Sequence, residues 1–299
     1  VGQTIACANQ KGGVGKTTTV VNLATALALA GQRVLVVDLD PQGNATSGFG
    51  IDRSRLDGTL YEVLLEERDL DSVIIATAVE GCAIAPASVA LAGAEIELAT
   101  APQRERRVKR ALAGVTERFD YLVIDCPPSL GLLTVNALTA ATSVLIPTQC
   151  EYYALEGLSQ LIATLNLVRD NLNPTLAIKG VVLTMFDART NLSSDVASEV
   201  RGHFGHAVFD TIIPRSVRLS EAPSFGLPIA LYRADSRGAE AYAALAAELL
   251  RRDVREPATP GTPETTRATD PVAIREPWQA AAVTAQTPAT EPAAIGART

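Results

Sequence analysis

The chain has 299 residues, 47% of them hydrophobic, and carries 26 basic against 33 acidic side chains, for a formal net charge of −7. That size and apolar content sustain one sizeable α/β core, and no stretch reads as a spanning helix or a signal peptide. The negative balance argues against whole-surface attraction to nucleic acid, and four cysteines without a C-x-x-C pair (Cys7, Cys82, Cys126, Cys150) read as small apolar packing in a reducing cytoplasm.

The first predicted element is a strand over Thr4 to Ala8. It runs into Asn9-Gln10-Lys11-Gly12-Gly13-Val14-Gly15-Lys16-Thr17-Thr18, and an apolar-periodic helix is predicted over Val20 to Ala30. Strand, Gly-rich loop and helix form the context that a phosphate-binding loop requires. A triphosphate brings about four negative charges that donors must meet. Gly12, Gly13 and Gly15 let successive N–H groups face one point, and the helix that starts near Gly15 adds its positive end. Lys16 reaches the β- and γ-phosphates, and the Thr17 hydroxyl is placed to ligate Mg²⁺. The first position of G-x-x-x-x-G-K-[ST] falls on Gln10, so the loop is a deviant Walker A. Lys11 adds a second lysine at its mouth.

The next predicted strand, Arg33 to Val37, is a continuous Val/Leu run of the kind buried in parallel sheets. It ends in Asp38-Leu39-Asp40-Pro41-Gln42-Gly43-Asn44, at the ligand edge of a doubly wound sheet. Asp38 and Asp40 either serve Mg²⁺ and position a water, or cap the segment that follows. A helix is predicted over Glu105 to Thr116. The strand Tyr121 to Ile124 then ends in Asp125, the Walker B arrangement, and Pro127-Pro128 stiffens the turn beyond it.

Further helices are predicted at Gly131 to Ala141, Leu155 to Leu172 and Ser194 to Phe204, and strands at Ser143 to Pro147, Ile178 to Leu183 and Val208 to Ile213. Leu155, Leu158, Ile162, Leu165 and Leu172 share one helix face and read as core packing. A last helix spans Ala239 to Arg252, with Arg251 and Arg252 at its negative end. This alternation predicts a mostly parallel, doubly wound α/β sheet flanked by helices, as one domain over residues 1–253. Residues 254–299 are Pro/Ala/Thr-rich, lose all apolar period and read as a disordered tail. Trp278 lies within it and is either an exposed chance aromatic or a short docking site.

The stretches Asn9 to Thr18, Asp38 to Gly48, Ala90 to Glu97, Asp125 to Leu138, Gln149 to Leu158, Leu183 to Leu192 and Ile213 to Pro223 resemble the ParA/MinD group of deviant Walker A ATPases. Within it they look like the chromosomal ParA, or Soj-type, branch, over residues 3 to 252. The resemblance implies ATP and Mg²⁺ as ligands and a sandwich homodimer of ATP-bound subunits. It implies that Lys11 crosses to the partner's ATP, with Gly12 allowing close approach of the two loops. Asp40 matches the hydrolytic residue, Thr17 the Mg²⁺ ligand, and Asp38 and Asp125 ligands acting through water. Met185, Pro214 and Ser216 fall where the adenine pocket is expected. Arg189 and Arg218 match residues for sequence-nonspecific DNA contact, although each is equally placed to pair with nearby Asp187 or Glu221. The resemblance further implies a ParB-type partner that stimulates slow, switch-type hydrolysis, and a cytoplasmic, nucleoid-associated protein. A MinD-like membrane-cycling ATPase is the alternative. It calls for a basic amphipathic C-terminal helix, which the Pro-rich tail does not offer, so no stable membrane association is expected. An iron–sulfur electron-transfer relative calls for a cluster cysteine that Cys126 has no loop partner to complete. A nucleotide-gated adaptor without turnover is disfavoured by Asp40.

Overall fold

The computed structural model describes residues 2–255. In chain order they form β1 (Gln3–Cys7), α1 (Lys16–Leu29), β2 (Val34–Asp38), α2 (Asn44–Gly48), α3 (Leu60–Leu64), β3 (Ile75–Ala76), β4 (Cys82–Ala85), α4 (Leu91–Glu97) and α5 (Arg107–Leu112). They continue through β5 (Tyr121–Asp125), α6 (Leu132–Ala140), β6 (Ser143–Gln149), α7 (Ala154–Asn171), β7 (Ala177–Thr184), α8 (Asn191–Phe204), α9 (Val217–Glu221), α10 (Ile229–Tyr232) and α11 (Arg237–Arg255). Among the described residues the strands make one seven-stranded sheet, ordered β3-β4-β2-β5-β1-β6-β7. Only the β3–β4 pair is antiparallel.

Successive strand residues point to opposite faces, and the core divides accordingly. Leu35 and Val37 pack into one apolar cluster with α3 to α8, while Val34 and Val36 pack into a second with α1, α2, α10 and α11. Both faces of the sheet are therefore covered, as a parallel sheet requires. All four cysteines are buried and free. No helix among the described residues is long and apolar enough to cross a membrane.

Three expectations change. The strand over Val208 to Ile213 does not form; the segment meets β7 through one isolated bridge at Val208 and through the Phe209 and Ile213 N–H groups, which donate to the Val181 and Leu183 carbonyls at 2.9 and 2.8 Å. The reason is local. The N–H groups of Asp210 and Thr211 donate to the Glu248 carboxylate of α11, at 2.9 Å each, instead of to a neighbouring strand. Arg252 completes this clamp by bonding the Val208 carbonyl and lying 4.0 Å over the Phe209 ring. The helix expected over Glu105 to Thr116 is α-helical only at α5 and opens with a 3-10 turn at Arg104–Arg106. The last helix runs on to Arg255, so Val254 and Arg255 are helical. The rest of the stretch read as a tail, Trp278 included, lies outside the described residues.

Removing the Glu248 carboxylate leaves two N–H groups and Arg252 without their partner. Glu248→Ala should lower the unfolding free energy by roughly 1–3 kcal/mol in urea titration, and Glu248→Gln by less. An unchanged midpoint for the alanine variant would contradict the clamp.

Candidate functional site

Strands β1, β2 and β5 are adjacent and parallel, so their carboxyl ends deliver three loops to one crevice, with Cys7 and Asp38 each in register with Asp125. The β1 loop curls through left-handed Gly13 and Gly15, at φ 73° and 86°, and Gly15 caps α1. Its position is held from outside. Buried Asn9 donates to the Pro147 carbonyl at 2.7 Å and accepts the Lys11 N–H at 3.0 Å, and the Thr184 hydroxyl donates to the Val14 carbonyl at 2.8 Å. Lys16 is buried and its ammonium folds back onto the Lys11 carbonyl at 3.0 Å. Thr17 and Thr18 open α1 beside it. Gly12 differs from Gly13 and Gly15: its φ is not positive and a Cβ there would meet nothing within 4 Å, so nothing inside the chain demands glycine.

The two strand-end carboxylates are wholly buried. Asp38 is satisfied. Its Oδ2 accepts from the Thr46 N–H and hydroxyl at 2.8 and 2.7 Å, and its Oδ1 from the Asp40 N–H at 3.3 Å. Burial still pushes its pKa up to about 6 against the Thr46 bonds, with the Asp40 charge adding to the rise. Asp125 is not satisfied: neither carboxylate oxygen has a hydrogen-bond partner. Burial and then the Asp38 charge push its carboxyl well above the usual range, while the Thr17 hydroxyl and Lys16 pull the other way. Asp40 is nearly buried, and its Oδ1 turns the chain by accepting the Gln42 N–H at 2.9 Å.

Orphaned buried carboxylate oxygens beside a second carboxylate and a hydroxyl fit a hard cation. No group of three His, Cys, Asp or Glu side chains among the described residues forms an all-protein cage. Mg²⁺ does not need one, because it is held by one or two carboxylates together with waters and phosphate oxygens. Asp38, Asp125 and Thr17 are the side chains that would hold it here.

The expected base-side residues also come together. Phe186 bridges Pro214, which places Met185 and Pro214 on adjacent segments, and Ser216 follows as the residue before α9. Met185 lies at φ 51°, a strained value for a side-chain-bearing residue, and its Cε reaches to 3.8 Å from where a Gly15 Cβ would sit. The two arginines expected at DNA are both engaged within the chain. Arg189 is 86% exposed yet grips Asp187 with two bonds, at 2.9 and 2.7 Å, holding that carboxyl far below its usual range. Arg218 pairs with Glu221 at 2.7 Å. Lys11 also has an unforeseen partner, Glu151 at 2.5 Å. No spacing signal could reveal a pair 140 residues apart, and the same holds for Asn9 with Pro147.

A family profile described as an AAA domain matches residues 2–178. The chain is 59% identical over 249 residues to the sporulation initiation inhibitor protein Soj of Bacillus subtilis, covering 83% of this chain and 98% of that protein. It is 55% identical over 253 residues to the chromosome partitioning protein ParA of Myxococcus xanthus, covering 85% and 89%. The chain belongs to the ParA/Soj family of chromosome-partitioning ATPases. Among solved structures it superposes on a Mycobacterium smegmatis protein named cobyrinic acid a,c-diamide synthase, with bound ADP and magnesium, at a TM-score of 0.75 and 40% identity over 86% of this chain and 96% of that one. A shared fold does not carry an activity with it.

The Asp125 charge gives a direct test. A carboxyl whose folded pKa is raised weakens the fold progressively as pH climbs from about 4, the unfolded value, to the raised folded value. Asp125→Asn keeps the shape and removes the charge. Without nucleotide it should stabilise the protein by about 1–3 kcal/mol at pH 8 and by little at pH 4, while Mg²⁺-dependent ATP turnover is lost. A gain that does not grow with pH would contradict the assignment.

Proposed function

We propose that this ParA/Soj chain is an ATP-operated switch for chromosome partitioning. In this reading ATP joins two subunits in a sandwich dimer, the dimer binds DNA without sequence preference, and hydrolysis resets it. The observation that carries the reading is the buried, partnerless Asp125 carboxylate beside Asp38, at the mouth of a loop that presents Lys16 and Thr17. Such a charge cluster favours a cation and a phosphate arriving together.

Loop N–H groups and Lys16 hold the phosphates, and Thr17, Asp38 and Asp125 hold Mg²⁺, which supplies charge neutralisation of the leaving oxygens. Asp40, two residues beyond the strand end, orients the attacking water. Met185, Pro214 and Ser216 border the base. Lys11 acts in trans. In the single chain its ammonium rests on Glu151, and in the dimer it exchanges that carboxylate for the partner's phosphate. Gly12, which nothing inside the chain demands, then keeps two loops close. A cation shared between subunits makes dimer stability depend on the γ-phosphate.

Arg189 and Arg218 would meet DNA phosphates in competition with Asp187 and Glu221. Such contacts carry no base readout and weaken steeply with salt. A ParB-type partner would accelerate hydrolysis, since switch NTPases without an activator turn over slowly. The compartment that follows is the cytoplasm, on the nucleoid. The ATPase domain in this account runs to the end of α11 at Arg255.

The deciding experiment is DNA binding with ATP, with ADP and without nucleotide, each at two salt concentrations. ATP alone should support binding, with a loss of at least tenfold between about 50 and 200 mM salt. Nucleotide-independent binding would contradict the switch. Asp40→Ala should retain ATP and accumulate as a dimer in light scattering, whereas an ATP-loaded monomer would remove Asp40 from its assigned role.

A further inference from the structure

A close backbone contact joins the nucleotide crevice to the segment that carries Arg218. Gly50, just past α2, and Gly226, between α9 and α10, lie back to back at φ 75° and 63°. A Cβ on Gly226 would stand 2.7 Å from the Gly50 Cα, and a Cβ on Gly50 would stand 2.8 Å from the Gly226 carbonyl oxygen. No side chain lies between the two backbones to absorb a displacement. In a close-packed structure a shift of one is passed to the other.

Each glycine is tied to a different site. On the nucleotide side, α2 hangs from Asp38 through the Thr46 N–H and hydroxyl, and the Thr46 carbonyl accepts the Ile51 N–H at 3.3 Å, which fixes Gly50. On the other side, Arg218 pairs with Glu221, which also accepts from the Tyr232 hydroxyl at 3.2 Å. The Phe225 ring stacks on Tyr232 at 4.8 Å, so residues 217–232 form one braced arm around Gly226. A second tether runs from the phosphate loop. Asn22 in α1 bonds the Thr18 carbonyl at 2.8 Å and accepts the Ile229 N–H at 2.7 Å.

We infer that the Gly50–Gly226 contact is the coupling point through which occupancy of the Asp38 crevice sets the position of the Arg218 arm, and so governs DNA binding. The inference rests on the DNA-binding switch proposed above. The bistable element is the arm, and α2 is the lever that biases it. Gly50 and Gly226 are positioning residues and touch neither ATP nor DNA.

The test compares wild type, Gly226→Ala and Gly31→Ala. Gly31 also has positive φ, at 85°, but a Cβ there would meet nothing within 4 Å, so it controls for backbone strain alone. Three readouts are taken: ATP binding, DNA affinity with and without ATP, and hydrogen exchange of residues 217–232 with and without ATP. Wild type and Gly31→Ala should gain DNA affinity and arm protection with ATP. Gly226→Ala should bind ATP with wild-type affinity yet lose at least tenfold of the ATP-dependent DNA affinity, and its arm protection should no longer respond. Gly50→Ala should behave likewise if Gly226→Ala folds poorly. An arm that still responds to ATP in folded Gly226→Ala or Gly50→Ala overturns the coupling, and so does loss of ATP binding together with DNA binding in those variants. Wild type without any ATP-dependent DNA binding overturns the switch reading itself, and the coupling falls with it.

Discussion

The structure is organised around a charge that it does not neutralise. Asp125 ends the central strand β5 between β1 and β2, with both oxygens buried and unpartnered and with Asp38 at the end of the next strand. A buried carboxylate of this kind costs stability unless a cation meets it. The doubly wound sheet makes the site possible, because parallel strands bring three loops to one edge. The glycine turns at Gly13 and Gly15 then aim N–H groups where phosphates would complete the charge balance. Stability is given up at the point where a ligand restores it.

The cations outside the loop follow a related pattern. Lys11 rests on Glu151, Arg189 on Asp187 and Arg218 on Glu221. Each pair is at least partly exposed, so each is a weak interaction that an external anion can replace. In the proposed switch each internal carboxylate stands in for a phosphate, on the partner's nucleotide or on DNA. Exchange of this kind explains how a chain with net charge −7 could bind DNA at a local patch without being drawn to it along its whole surface.

The sheet and its crevice were largely legible because buried parallel strands leave continuous Val/Leu runs, as at Val34–Asp38 and Tyr121–Asp125. The short strand Cys82–Ala85 and the two-residue edge strand Ile75–Ala76 carry no such run, so the sequence does not signal them. Residues 208 to 213 carry a strand-like pattern, but the N–H groups of Asp210 and Thr211 in the middle of it go to Glu248, about 40 positions away, and local sequence cannot show that. The positions of Lys16, Thr17, Asp38 and Asp125 followed from motif spacing. The partners that distinguish Asp38 from Asp125 did not, because packing decides that Thr46 bonds the Asp38 carboxylate while no donor closes a hydrogen bond on Asp125. The pairing of Arg189 and Arg218 was within reach of sequence, since their partners lie two and three residues away.

The claim that binds this account together is that Mg²⁺ and ATP are required jointly to neutralise the Asp38–Asp125 cluster. Thermal unfolding of the purified chain with Mg²⁺ alone, ATP in EDTA, and both together tests it most directly. The account predicts that the pair raises the melting temperature by several degrees more than the sum of the separate shifts. A shift with ATP in EDTA equal to that with Mg²⁺ and ATP would contradict it.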